Sequence, residues 1–224
     1  MYNINDVYNI VLYFCSKNLQ QGYISPSDFN NSFNIAQKSY AAFLLGNLEQ
    51  YRQGRPVAPV EFGQNTVVRQ RLTPIIYGYN LTVDTTGFSP YPGDYLQTDA
   101  MWSIYGYNRI REVQQNYFYS IYGSVIDRIP NWPVYMIEDV GFRFFPNEIN
   151  QAKLNYVRNP PNAVWGYTDD ENGLPVYSAA RSTQPVWDDA SIMEIIVRQL
   201  RIIGVNLSFG DVSQYANEIK QLGQ

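Results

Sequence analysis

The sequence predicts an α+β fold: an N-terminal helical hairpin, a central antiparallel β meander with a short helix, a projecting β-hairpin, and C-terminal helices. Three observations carry this. Apolar residues repeat at helical spacing through the first 53 residues, β-forming runs crowd together between residues 133 and 157, and a strongly apolar helical pattern begins near residue 189. The chain of 224 residues, 45% apolar and 16% charged, is large and apolar enough to bury a core.

The elements follow in order. Asn3 with Asp6 three residues on reads as an N-terminal cap, and Ile4, Val7, Tyr8, Val11, Leu12, Cys15 and Leu19 form one helical stripe ending at Gly22. In "ISPSDF", Ser25 is the cap, Pro26 takes the first helical position and Asp28 closes the box. The stripe Phe29, Phe33, Ala36, Tyr40, Phe43, Leu44, Leu48, Tyr51 then predicts a second helix, and "RQGRPVAP" (52–59) reads as a linker. A short helix is expected at 65–72 and strands at Ile75–Val83 and Ala100–Asn108, with turns over 84–95. Residues 112–127 read as a helix. Pro133–Ile137, Gly141–Phe145 and Ala152–Val157 read as a meander, because their connections are too short for crossovers. Asp188 or Asp189 caps a helix ended by Gly204, and residues 211–222 form a last short one. The division expected is a helical hairpin at 1–53 and a body at 54–224, together one compact unit.

Between the meander and that helix lies "KLNYVRNPPNAVWGYTDDENGLPVY". Pro160 and Pro161 remove two amide donors, so the strand ending near Arg158 cannot simply continue. Asn172-Gly173 is a hairpin turn signal, and Trp165, Tyr167, Val176 and Tyr177 load the hairpin with bulky side chains. An isolated hairpin is marginal in water and needs a surface to lie on. That surface is either its own domain or a neighbouring subunit. The second choice makes residues 159–188 an assembly arm, with Tyr156, Arg158, Trp165, Tyr167, Tyr177 and Trp187 as candidate interface residues.

Composition narrows function mainly by exclusion. The chain has no histidine, which removes Ser-His-Asp and Cys-His catalysis and histidine-based zinc sites. Its single cysteine, Cys15, sits on an apolar helix face and excludes an intrachain disulfide. The acid clusters Glu138-Asp139, Asp169-Asp170-Glu171 and Asp188-Asp189 fall at turns or helix starts rather than in an evident cleft. No enzymatic role, cofactor or metal is therefore expected. A net charge of −4 gives no basic footprint for gripping nucleic acid. No apolar run or leader suggests membrane insertion or export. The 20 tyrosines favour half-buried surfaces and interfaces.

Taken together, "GYISPSDFN", "NTVVRQRLTPI", "YPGDYLQ", "KLNYVRNPPNAVWGYT", "NGLPVYSAA" and "PVWDDASIMEIIVRQLRIIGVNL" resemble a family of virion structural proteins from crAss-like and related phages of the Bacteroides group. The resemblance spans nearly the whole chain, and the last motifs are its most specific part. It implies a ring or head-to-tail connector subunit in the virion neck, made in the host bacterial cytoplasm. The implied partners are its own copies, the portal protein and other neck or tail rings, with genomic DNA passing through the lumen without tight binding. The alternative from a different class is a tail-associated module that recognises carbohydrate or a receptor through tryptophan and tyrosine faces.

Overall fold

Asn3 and Asp6 cap each other: Asp6 N–H donates to Asn3 Oδ1 at 2.9 Å, and Asn3 N–H donates to Asp6 Oδ2 at 3.0 Å. This reciprocal box opens helix α1, Ile4–Lys17. The computed structural model describes residues 2–17, 24–46, 66–104, 108–114, 133–147 and 149–206. Ile4, Val7, Tyr8, Val11 and Cys15 are buried as their spacing predicts, whereas Leu12 lies at the flank and is half-buried. Helix α2, Pro26–Leu45, starts where the sequence says: Ser25 Oγ accepts Asp28 N–H at 3.1 Å and donates to the Asp28 carboxylate. Gly46, at φ +91°, takes the chain out of the helix.

Phe29, Phe33, Ala36, Tyr40 and Leu44 face inward along α2, but Phe43 does not; it is 52% exposed. The buried stripe steps 36, 40, 44, so position 43 falls to its side, where the Arg198 guanidinium lies 4.8 Å above the ring. Helix α3, Thr66–Leu72, follows the expected position. Leu19, Gly22, Leu48, Tyr51 and the 52–59 linker lie outside the described residues.

Among the described residues the strands that follow are β1 (Ile76–Thr82), β2 (Phe88–Pro90), β3 (Tyr95–Ser103), β4 (Arg111–Glu112), β5 (Val134–Ile137), β6 (Gly141–Phe145) and β7 (Gln151–Arg158). The hairpin strands are β8 (Tyr167–Asp169) and β9 (Pro175–Tyr177), and the chain returns to helix in α4 (Asp189–Asn206). Asp188 caps α4: its carboxylate accepts Ser191 N–H at 3.3 Å and its carbonyl accepts Ile192 N–H at 2.9 Å. The helix runs through the buried Gly204 to Asn206 instead of ending there, since a helical backbone is open to glycine as to other residues. Ile192, Ile195, Ile196, Leu200 and Ile203 line its buried face.

The chain divides into two compact units, Met1–Pro74 with Pro160–Gln224, and Ile75–Asn159. This differs from the expected boundary at residue 53. The reason is α4: both α1 and α2 pack on it, so the N-terminal helices find their apolar partner near the other end of the chain.

Among the described residues of the second unit the strands form sheets of order β1-β7-β3 and β2-β6-β5-β4. Leu81, Met101, Phe142, Phe144, Leu154 and Tyr156 are among its buried core. The expected three-strand meander is only half present. β5 and β6 form an antiparallel hairpin, but β7 leaves that sheet to become the centre of the other, between β1 and β3. Pro146 follows β6 directly and has no N–H with which to prolong the ladder. β3 begins at Tyr95 and has two register shifts, so the strand lies earlier than expected. The segment read as turn contains β2, positioned by Asp84, whose carboxylate accepts the N–H groups of Thr86 (2.8 Å) and Phe88 (2.9 Å). Glu112, expected to start a helix, belongs to β4, which pairs parallel to β5. The rest of that helix from 115, and the one at 211–222, lie outside the described residues.

Candidate functional site

The double proline leads into an extended segment, and helix α2 receives it with a row of carboxamides. Asn30, Asn34 and Gln37 lie beside the buried stripe of α2. Trp165 N–H donates to Asn30 Oδ1 at 2.7 Å, and Asn30 Nδ2 donates back to the Trp165 carbonyl at 3.2 Å. Asn34 repeats the pattern on Ala163, at 3.0 and 2.9 Å. Gln37 Nε2 then donates to the Pro161 carbonyl at 3.0 Å. A helix rises about 6 Å over four residues and a strand advances about 6.6 Å over two, so the two repeats stay nearly in step for this distance. A carboxamide carries both a donor and an acceptor, and here it does what an adjacent strand would do. Pro161 costs this ladder nothing, because Gln37 asks only for its carbonyl.

Trp165 is therefore fixed from both sides. Its ring stacks on Tyr8 at 4.0 Å and 22°, its Nε1 donates to Asn5 Oδ1 at 3.1 Å, and it is 3% exposed. Beyond it, Val164 and Thr183 exchange two backbone hydrogen bonds, at 3.0 and 2.8 Å, and close the base of the hairpin. Gly166 sits so close to Arg181 that a β-carbon there would overlap the Arg181 carbonyl. The root of the hairpin thus packs on its own unit, the first of the two surfaces left open by the sequence.

The strands themselves stand out from this root. Tyr167 and Tyr177 are cross-strand partners, and both rings lie near Trp165, at 5.9 and 6.0 Å. Tyr167, Thr168, Asp169, Leu174 and Val176 are exposed. At the tip, Gly173 takes φ +75° and Asp170 organises the turn, accepting the N–H groups of Asn172 and Leu174, each at 2.8 Å. Those bonds, that from Leu174 foremost, hold the Asp170 carboxyl below its ordinary range.

The remaining candidate residues separate. Trp187 is fully buried, edge-on to Tyr40 at 5.3 Å, with Nε1 donating to Gln37 Oε1 at 3.3 Å. Tyr156 is in the core of the second unit, where its hydroxyl donates to Asp94 Oδ1 at 2.7 Å; burial and that acceptor push its ionisation up. Arg158, at the end of β7, is half-buried with its guanidinium 5.6 Å from the Tyr77 ring centre, and its Nε is buried without a hydrogen-bond partner. So Tyr156, Trp165 and Trp187 are occupied within their own units, while Tyr167, Tyr177 and Arg158 retain accessible surface.

The acid clusters have local work. Glu138 holds the Arg143 guanidinium through both carboxylate oxygens, Asp170 shapes the tip and Asp188 caps α4. Among the described residues no three His, Cys, Asp or Glu side chains gather as metal ligands, and no helix is long and apolar enough to cross a membrane. The sequence reading missed Asn30, Asn34 and Gln37. The available signal was three carboxamides at helical spacing on one flank of α2, in a chain that also has a proline-led extended segment needing partners.

No protein-family model matches the chain, and no significant match exists among curated proteins.

Proposed function

We propose that this chain is a structural subunit of a tailed-phage virion, forming a ring in the neck or head-to-tail connector between portal and tail. The observation that carries this reading is the mounting of the hairpin: a root fixed by paired carboxamides and a buried tryptophan, and strands left exposed beyond it. Such an element is ordered before it meets anything, which lowers the entropy lost on association. The sequence resemblance to phage neck proteins supports the same reading. In the ring, copies meet through different surfaces, head to tail, and close when the rotation permits. DNA passes the lumen without tight binding, in keeping with a net charge of −4. Sugar stacking through tryptophan is poorly served, because the Trp165 and Trp187 rings are spent inside the unit.

Averaged electron-microscopy maps of purified virions test the proposal. The expected result is this chain arranged with cyclic symmetry about the tail axis in the neck. Its location in fibre-tip density would overturn the reading in favour of receptor or carbohydrate recognition.

A further inference from the structure

We propose that the free subunit pairs with a second copy of this chain through the outer edge of β1, strand against strand about a twofold axis. This goes beyond the ring reading, because it concerns the chain before assembly.

The edge is open. Val83 N–H donates to Asn150 O at 3.0 Å, which sets the phase of the β1–β7 ladder. By antiparallel alternation Tyr77, Tyr79 and Leu81 bond to β7, while the backbone groups of Gly78, Asn80 and Thr82 and the Ile76 carbonyl point away from it. β1 ends its sheet, and among the described residues none bonds to that side. Tyr77 through Asn80 are all exposed. Natural edges are blunted by charges, prolines or bulges, and "IYGYNLT" has none of them.

The core side of the sheet is unfinished at the same place. Tyr77, Tyr79 and Leu81 stand opposite Tyr156, Leu154 and Ala152, all buried. Leu81 is buried with them, yet Tyr77 and Tyr79 are 51% and 46% exposed. Tyr77 is already held in place, edge-on to Tyr156 at 6.2 Å with the Arg158 guanidinium 5.6 Å from its ring centre.

Geometry and charge commit this edge to its own copy. Outward residues must face outward residues, and one antiparallel register uses them all: Ile76 meets Thr82, Gly78 meets Asn80, and Tyr79 meets Tyr79 at the axis. Directly opposite residues share a face, so the tyrosines of both copies lie on the core side and Tyr77 meets the second copy's Leu81. A parallel pair would turn the two core faces to opposite sides. A like-with-like contact also sets each charge against its own kind. β1 carries no charge, and Arg158, at the Ile76 end, falls at opposite ends of the paired strands. In a neck ring all copies face one way, whereas a twofold axis relates copies facing opposite ways, so the pair would part as the ring closes. Until then it covers an edge open to any other exposed strand.

Sedimentation velocity on the purified chain tests this. The parent should form a reversible dimer, lost on dilution from roughly 100 μM to roughly 1 μM, since one strand pair with its tyrosines is a small interface. Asn80→Pro removes an outward N–H, leaves the β7 ladder intact and should weaken association about tenfold or more. Tyr79→Lys and Tyr79→Glu each set like charges across the axis and should weaken it similarly. Mixed together, these two variants should associate at least about fivefold more tightly than either alone. Tyr79→Cys should cross-link to a dimer on mild oxidation, because such opposed residues bring their Cα atoms to about 4.5 Å. Tyr77→Cys should not, and the native Cys15 is buried. If Asn80→Pro melts early, the charge variants and the cross-link decide, since Tyr79 is exposed. A parent that stays monomeric at the higher concentration overturns the pairing. So does a dimer that a well-folded Asn80→Pro leaves unchanged, that mixing does not strengthen, or that Tyr79→Cys fails to cross-link. The ring reading is decided separately, by symmetric neck density in virions.

Discussion

Replacing Asn34 by alanine tests the carboxamide ladder. Asn34 serves both backbone groups of Ala163, a fully buried residue, at 3.0 and 2.9 Å. Losing two hydrogen bonds at about 1 kcal/mol each sets the lower part of the cost, and stranding a buried N–H and C=O raises it toward about 4 kcal/mol. Alanine's better helix propensity returns roughly 0.5 kcal/mol. The net expectation is a loss of about 2–3 kcal/mol. The control is Asn31→Ala, three residues away on an exposed position, which should change stability by no more than about 0.5 kcal/mol. Urea unfolding followed by tryptophan fluorescence is the natural assay, because Trp165 is the next rung along and its environment reports on the same contact. If the two variants unfold at the same urea concentration, the ladder contributes nothing and the hairpin root is held by its apolar contacts alone.

Two further outcomes follow from the same packing. Trp165→Ala removes a ring that is 3% exposed and stacked on Tyr8, and should cost the isolated protein about 3–5 kcal/mol; unchanged thermal melting would return Trp165 to the list of surface contacts. Raising pH should destabilise the second unit, because burial, then the neighbouring Tyr95 and Asp139, pushes the Tyr91 hydroxyl up to about 12. The unfolded chain releases that proton near pH 10, so stability is full below pH 10 and falls as pH rises toward about 12. Burial raises Tyr135 and Tyr156 as well, in the same direction. Absorbance titration of phenolate alongside stability checks this, and constant stability from pH 9 to 12 would contradict it.

Local rules decided what was legible in the sequence. The Asn3–Asp6 box, the Ser25-Pro26-Asp28 start, the Asp188 cap and the Gly173 turn each depend on residues within four positions of one another, so a single chain reveals them. Periodicity likewise revealed the inward faces of α1 and α2, because a helix repeats its neighbours whatever it packs against. Phe43 marks where that stops: spacing admits it to the stripe, but the buried face steps through Ala36, Tyr40 and Leu44 and leaves it at the side, under the Arg198 guanidinium. Partner choice was the property of the tertiary structure. That β7 joins β1 and β3 rather than β6, that β4 runs parallel to β5, and that α1 and α2 bury on α4 are all settled by contacts between residues far apart in sequence. The hairpin shows the same division. Two prolines and an Asn-Gly turn announce its existence, whereas its seat depends on Asn30 and Asn34, 135 and 129 residues away, presenting their amides at a strand's spacing. A side-chain amide has no preferred partner until the fold brings a backbone within 3 Å of it, and for that reason the seat was invisible until the chain had folded.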